Sequence, residues 1–420
     1  MDDYKYETIA ATFGTVLLWW CLATSVSFAS NDRSSLPKTV ARLEAGKPTT
    51  IVCLGDSVTG VYYHTGGRRA YPEMLQIAIS KCYAGSQVSV INSGISGQTT
   101  ADGIARLQEA VLDHEPDLVT LMYGLNDMTR LSPSTFRDNL VRIVEACQAA
   151  GAEVLLCTPN AIEETEARPV ERLEVYVQVI MSLGKELNIP VADVYNEFQL
   201  LKTRDSNAFA LSLSDPIHPN MDGHKRMAET IVRTVANREV SLADQSPLKP
   251  ALSHTLHRLA AGQPIRLLAM PPYQSDFDEA IRHAYPNATI ELLQWKTADK
   301  SLVEIEAEAQ QVRSLRPDLV VVAIPWMPAQ DDTTTFARTF GWVLNWSLSF
   351  AHQEWDVVVV SPSFHLAADS PIQQQQEQLV SQLVSAQDLH YLTREHGQHE
   401  SATAAIADWV REQIAQESVK

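Results

Sequence analysis

The run Thr49-Thr50-Ile51-Val52-Cys53-Leu54-Gly55-Asp56-Ser57-Val58 is apolar and β-branched, stops at a glycine and turns polar at once. A short apolar run bounded by a turn signal reads as a buried strand. The pattern recurs. Residues 87–91 (QVSVI) end at Asn92-Ser93-Gly94, residues 117–123 (DLVTLMY) at Gly124, and residues 153–157 (EVLLC) at Thr158-Pro159. Residues 190–194 form a weaker fifth run. Between these runs, residues 72–82, 100–112, 133–150 and 169–187 carry helical spacing. Strands alternating with helices predict an α/β fold, a parallel sheet covered on both faces. In such sheets the polar residues after successive strands gather at the carboxyl edge.

The pattern is then repeated. Arg42-Leu43-Glu44-Ala45-Gly46-Lys47-Pro48 precedes the first strand, and Arg258-Leu259-Ala260-Ala261-Gly262-Gln263-Pro264 precedes the apolar run 265–270. Pro116-Asp117-Leu118-Val119 is echoed by Pro317-Asp318-Leu319-Val320, and VLLCTP at 154–159 by VVVVSP at 357–362. Three matches in one order predict a second α/β domain built like the first. The expected organisation is 1–29 as signal peptide or membrane anchor, 30–48 linker, 49–236 first domain, 237–264 linker and 265–415 second domain.

The chain of 420 residues is 45% apolar and 20% charged, which suits a folded two-domain protein. Its formal net charge of −18 disfavours nucleic acid and anionic membrane surfaces as partners. The apolar stretch 9–29 ends in Val26-Ser27-Phe28-Ala29, with small residues suited to cleavage after Ala29. Its acidic leader (Asp2, Asp3, Glu7) is unusual for a signal peptide, and its length suits an uncleaved anchor too. Either reading predicts an exported protein, with the membrane only as a tether. Cys53, Cys82, Cys147 and Cys157 form no C-x-x-C pair, so no zinc site is expected. They read as buried small hydrophobes, one disulfide remaining open.

Each presumed strand end carries chemistry. Ser57 follows Gly55-Asp56 at a strand-to-helix turn, where a hydroxyl is exposed near the positive end of the next helix. Asn126 follows Gly124-Leu125. Asp215-Pro216-Ile217-His218 closes the first domain. Nucleophilic catalysis by serine needs a base and an anion that fixes the base's tautomer; Asp215 and His218, three apart, can supply both. A tetrahedral oxyanion needs donors, for which the N–H groups of Ser57 and Gly94 and the Asn126 amide are candidates. Asp56, Asp127 and Asn220 read as turn braces or caps, His224 as a surface helix residue, and the loop from Glu163 to Arg168 as solvated.

Over residues 49–236 these blocks, Gly55-Asp56-Ser57, Gly94, Gly124-Leu125-Asn126-Asp127 and Asp215-Pro216-Ile217-His218, resemble the SGNH, or GDSL, hydrolases. The resemblance implies a flavodoxin-like three-layer sandwich. It implies Ser57 as nucleophile, His218 as base, Asp215 as its orienter, and Ser57, Gly94 and Asn126 as the oxyanion hole. No metal or organic cofactor is implied. Val58 stands where the family's alternative name has leucine.

The aromatic, glycine-rich segment 60–69 follows Ser57, so Tyr62, Tyr63, His64 and Arg68 are candidate substrate contacts, the alternative being a structural loop. In the second domain the repeat aligns Tyr273 with Ser57, Pro325 with Gly124, Met327 with Asn126 and His396 with His218, leaving Thr393 at Asp215. No serine triad can be built there, so a degenerate, non-catalytic copy is expected. Trp326, Trp342, Trp346 and Trp355 read as core or as sugar platforms. The expected activity is hydrolysis of small acyl esters, with O-acetylated carbohydrate preferred. Lipid, aryl or thioester cleavage, lysophospholipase activity, acetyl transfer, or a non-catalytic carbohydrate-binding role are alternatives.

Overall fold

The structure is a computed structural model that describes residues 36–326, 333–365, 367–394 and 401–417. The apolar segment 1–29, Met327 and His396 lie outside the described residues. Among the described residues no helix is long and apolar enough to cross a membrane. Both α/β halves belong to one compact unit, Ser34–Lys420.

The first sheet contains β1 (Pro48–Gly55), β2 (Gln87–Gly94), β3 (Leu118–Met122), β4 (Glu153–Cys157) and β5 (Val191–Ala192), in the order β2-β1-β3-β4-β5. All neighbours are parallel, and Gly55 lies beside Gly94 on one side and Met122 on the other. The second sheet contains β6 (Ile265–Ala269), β7 (Ile290–Leu293), β8 (Leu319–Val322), β9 (Asp356–Val360) and β10 (His390–Leu392), in the order β10-β9-β8-β6-β7. Counted within its own half, each sheet therefore has the order 2-1-3-4-5. The central strands β3, β8 and β9 are buried along their whole length, which is why they read as unbroken apolar runs.

The repeat extends to individual hydrogen bonds. Ahead of β1 the helix Pro37–Glu44 directs the Lys38 and Thr39 N–H groups to the Glu153 carboxylate, at 3.0 and 2.8 Å. Ahead of β6 the helix Ser253–Ala260 directs the His254 and Thr255 N–H groups to Asp356, at 3.2 and 2.7 Å. Each acid satisfies orphan donors at a helix N-terminus. Asp117 accepts from the Thr50 N–H and pairs with Arg42; Asp318 accepts from the Arg266 N–H and pairs with Arg258. The segments expected as linkers thus hold helices: Leu43 and Leu259 are buried, and the repeated RL-x-AG-x-P string is the end of a helix plus the turn into its strand.

Two other expectations change. The helix expected over 100–112 is broken into Thr100–Ala105 and Leu107–Ala110. At the break, the Arg106 guanidinium reaches back to the Ser93 carbonyl and hydroxyl, 2.7 and 3.0 Å away. Ser57 does not start a long helix either. Residues 56–60 make a single turn, with Thr59 and Gly60 N–H donating to the Asp56 carbonyl, and the next α-helix is Tyr71–Cys82. The chain between them crosses to the second half. There Arg69 pairs with the buried Asp388 at 2.5 Å, and the Gln353 N–H donates to the Gly67 carbonyl at 2.8 Å. The four described cysteines are free, three of them buried. Trp355 is core, its indole N–H donating to the Ser347 carbonyl, whereas Trp342 and Trp346 are half-buried and stacked 5.6 Å apart.

Candidate active site

The carboxyl edge of the first sheet gathers the predicted groups. The Ser57 hydroxyl lies 2.9 Å from His218 Nε2, and His218 Nδ1 lies 2.7 Å from Asp215 Oδ2. Asp215 Oδ1 accepts the N–H groups of Ile217 and His218, at 2.9 and 2.8 Å, so the carboxylate is fixed by its own loop. The Ser214 N–H closes that loop on the His218 carbonyl at 2.9 Å. Burial pushes the Asp215 carboxyl up, but the His218 charge and these hydrogen bonds outweigh burial and hold it well below the usual carboxylate range. A hydroxyl, an imidazole and a carboxylate in this order can move a proton off the hydroxyl and stabilise the resulting imidazolium.

The braces expected around this edge are in place. Asp56 Oδ1 accepts the Val58 N–H at 2.9 Å, Asp127 Oδ1 accepts the Thr100 N–H and hydroxyl, and Asn220 caps the helix Met221–Ala236 through the Asp222 and Gly223 N–H groups. Burial pushes the Asp56 carboxyl up to about 7, against the pull of its Val58 hydrogen bond. Among the described residues no group of three or more His, Cys, Asp or Glu side chains is arranged to hold a metal ion.

Gly94 is placed differently from expectation. Its N–H donates to Asn92 Oδ1 at 3.1 Å, and a Cβ there would lie 2.1 Å from the Gly60 nitrogen. Gly94 is therefore the contact where β2 packs against the nucleophile turn. The glycine beside the Asn126 amide is Gly97, at φ +76°, in the turn whose Gln98 carbonyl accepts Asn126 Nδ2 at 3.0 Å. Asn126 Nδ2 also donates to Asp56 Oδ2 at 3.3 Å.

The loop after Ser57 is mostly committed to structure. Arg68 is bound to the Leu248 carbonyl, the Ser253 hydroxyl and the Gln353 side chain, so it joins the halves instead of facing substrate. His64 is buried; its Nε2–H donates to the Ser57 carbonyl at 3.1 Å. Burial, reinforced by the His218 charge, pushes its pKa well below the usual imidazole value, so it is neutral. Tyr63 donates its hydroxyl to Asp215 Oδ2 at 3.3 Å, and Tyr62 accepts the Ser96 N–H at 2.6 Å. Tyr62 and Tyr63 are only partly buried and border Phe350 of the second half, which is 52% exposed.

Two further residues were misplaced by sequence reasoning. His224 is fully buried: its Nδ1 accepts the Tyr71 N–H at 2.8 Å, capping the helix Tyr71–Cys82, and burial pushes its pKa down to about 3. The i, i+4 spacing of the buried Met227 and Ile231 marked this face as inward. Arg168, expected in a solvated loop, is half-buried and donates to Asn126 Oδ1 at 3.1 Å and to the Leu125 carbonyl at 3.0 Å. No sequence signal announces that contact. In the second half Tyr273, aligned with Ser57, is a buried ring 4.9 Å from His365.

A parallel 2-1-3-4-5 sheet with a serine, a histidine and an aspartate joined at its carboxyl edge defines a hydrolase-type α/β domain. Residues 53–226 match the GDSL-like Lipase/Acylhydrolase family. The chain is 29% identical over 217 residues to an acetylxylan esterase of Geobacillus stearothermophilus, covering 46% of this chain and 96% of that protein. It is 28% identical over 190 residues to the thioesterase 1/protease 1/lysophospholipase L1 of Escherichia coli strain K12, covering 45% and 84%. It is 35% identical over 107 residues to an arylesterase of Vibrio mimicus, covering 25% and 52%.

Proposed function

We propose that this protein is an ester hydrolase in which Ser57 is the nucleophile, His218 the general base and Asp215 the group that holds the His218 tautomer. The observation that carries the reading is the continuous pair of short contacts, Ser57 Oγ to His218 Nε2 and His218 Nδ1 to Asp215. Ser57 Oγ attacks the acyl carbon while its proton passes to Nε2. The oxyanion is received by the N–H groups of Ser57 and Gly97 and by the Asn126 amide, which exchanges its longer bond to Asp56 for this one. His218 returns the proton to the leaving alcohol, and water repeats the sequence in reverse to release the acid.

The preferred substrate in this reading is a small acyl group, chiefly O-acetyl, on carbohydrate. The relative named acetylxylan esterase, matched over 96% of its length, supports it, as does a rim in which Tyr62 and the exposed Phe350 offer ring faces to a sugar. The second half, with Tyr273 at the position of Ser57, is read as non-catalytic. The apolar segment 1–29 supports action outside the cytoplasm. A panel of acetylated oligosaccharides and p-nitrophenyl esters of rising chain length tests the substrate class. Acetate release from the glycans supports it; fast cleavage of long acyl chains with no acetate release from any glycan favours the lipid or thioester reading, for which the thioesterase relative speaks.

A further inference from the structure

The second half does more at the junction than cover apolar surface. Its helix Thr333–Ser347 carries Asn345, a fully buried amide. A buried amide in a helix is costly unless its donors and acceptor are met. Here they are met by the residue next to Asp215: the Ser214 hydroxyl donates to Asn345 Oδ1 at 2.9 Å, and Asn345 Nδ2 donates to the Ser214 carbonyl at 3.2 Å. Gln387, also buried and also from the second half, donates to the Ser214 hydroxyl at 2.9 Å and to Asn345 Oδ1. Ser214 is thereby fixed through its side chain and its backbone, immediately ahead of the carboxylate that must meet His218.

The end of the same helix reaches the other neighbour of Asp215. Arg313 donates to the Asn345 carbonyl at 2.8 Å and to the Leu348 carbonyl at 2.9 Å, tying down the last turn. Its guanidinium lies 4.9 Å from the Tyr63 ring centre, and the Phe350 carbonyl accepts the Tyr63 N–H at 3.1 Å. Tyr63 in turn donates to Asp215 Oδ2, the oxygen that faces His218. Besides the Ile217 and His218 N–H groups of its own loop, Asp215 is flanked by the Ser214 peptide and the Tyr63 hydroxyl, and both of these are held by one helix end of the second half.

We propose that Asn345 and Arg313 are positioning residues of the active site, so that the second half sets the placement of the Asp215 carboxylate against His218. This rests on the reading of Ser57, His218 and Asp215 as the catalytic groups. Loosening Asp215 weakens its hydrogen bond to the imidazole and lowers kcat, because the imidazolium formed during the reaction loses its anion.

The test uses the full chain on p-nitrophenyl acetate. Asn345→Leu removes the amide at similar volume; kcat is expected to fall about 10-fold or more with KM within about twofold. Arg313→Met, which acts on the Tyr63 support, is expected to lower kcat about threefold with KM within about twofold. Thermal melts establish that each variant is folded at the assay temperature. A folded Asn345→Leu with wild-type kcat overturns the proposal. If Asn345→Leu does not fold, Arg313→Met decides alone: an unchanged kcat overturns it. Absence of ester turnover in the wild-type chain overturns the esterase reading and this inference with it, whereas wild-type turnover with unaltered variants overturns this inference alone.

Discussion

His64 lies stacked on His218, ring centres 4.4 Å apart and planes inclined by 16°, while its Nε2–H holds the carbonyl of Ser57. One buried side chain therefore supports both the hydroxyl-bearing residue and its imidazole partner. Because burial keeps His64 neutral, it adds no positive charge under His218. His64→Ala removes the support and the hydrogen bond together; kcat is expected to fall about 10- to 100-fold, more than KM changes, in steady-state ester hydrolysis.

His64 and His224 also set a pH dependence of stability. Their folded pKa values are depressed, His224 to about 3, so at pH 5 the unfolded chain binds protons that the folded chain refuses. Stability from these groups is full above the ordinary imidazole value and falls as pH drops below it, at up to ~1.4 kcal/mol per pH unit for each group. Asp56, raised to about 7, acts with the opposite sign between its unfolded and folded pKa values. Asp127, Asp222, Asp356 and Asp388 are raised by burial too and act with the sign of Asp56, so the histidine contribution is read as a difference. The melting temperature of wild type relative to His224→Asn should rise from pH 4.5 to 6.5, as differential scanning calorimetry would record.

Arg168 fixes the oxygen of the Asn126 amide and so turns its nitrogen toward the Gln98 turn. Losing an oxyanion donor outright costs about 10²–10³ in kcat. Arg168→Ala only frees the donor to rotate, so a drop of about 10-fold is expected, and Arg168→Lys should restore little because one ammonium cannot hold both the amide oxygen and the Leu125 carbonyl in the same geometry. Measurement of kcat and KM on one ester separates this from lost substrate binding, which would raise KM.

Arg68 joins the two halves beside the buried Asp356. Arg68→Met should destabilise the fold by about 1–3 kcal/mol in denaturant titration, because several part-buried hydrogen bonds lose their donor and the buried Asp356 loses its cation. KM for acetylated oligosaccharide should stay within about twofold. A large KM increase with unchanged stability would return Arg68 to the substrate site.

The parallel sheets were legible because buried central strands are continuous apolar runs, and the duplication because RL-x-AG-x-P and P-D-L-V sit at structural corners that each half must build. Ser57, Asn126, Asp215 and His218 were legible for the same reason: each ends a recognisable strand or precedes the last helix of its half. The partner of the Gly94 N–H was not legible, because the sequence places two glycines three apart from the end of β2 and cannot say which N–H is taken; Asn92 takes that of Gly94. The roles of Arg168, His64 and His224 depend on contacts made across loops. Those of Asn345 and Arg313 depend on how two halves dock, and no local pattern encodes docking.

The most direct test of the account is the rate of ester hydrolysis by Ser57→Ala in the full chain. Removal of the attacking oxygen should lower kcat by about 10³-fold or more, with the variant folded and its melting temperature close to that of the wild type. Hydrolysis by Ser57→Ala at the wild-type rate would contradict the assignment of Ser57 and, with it, the mechanism.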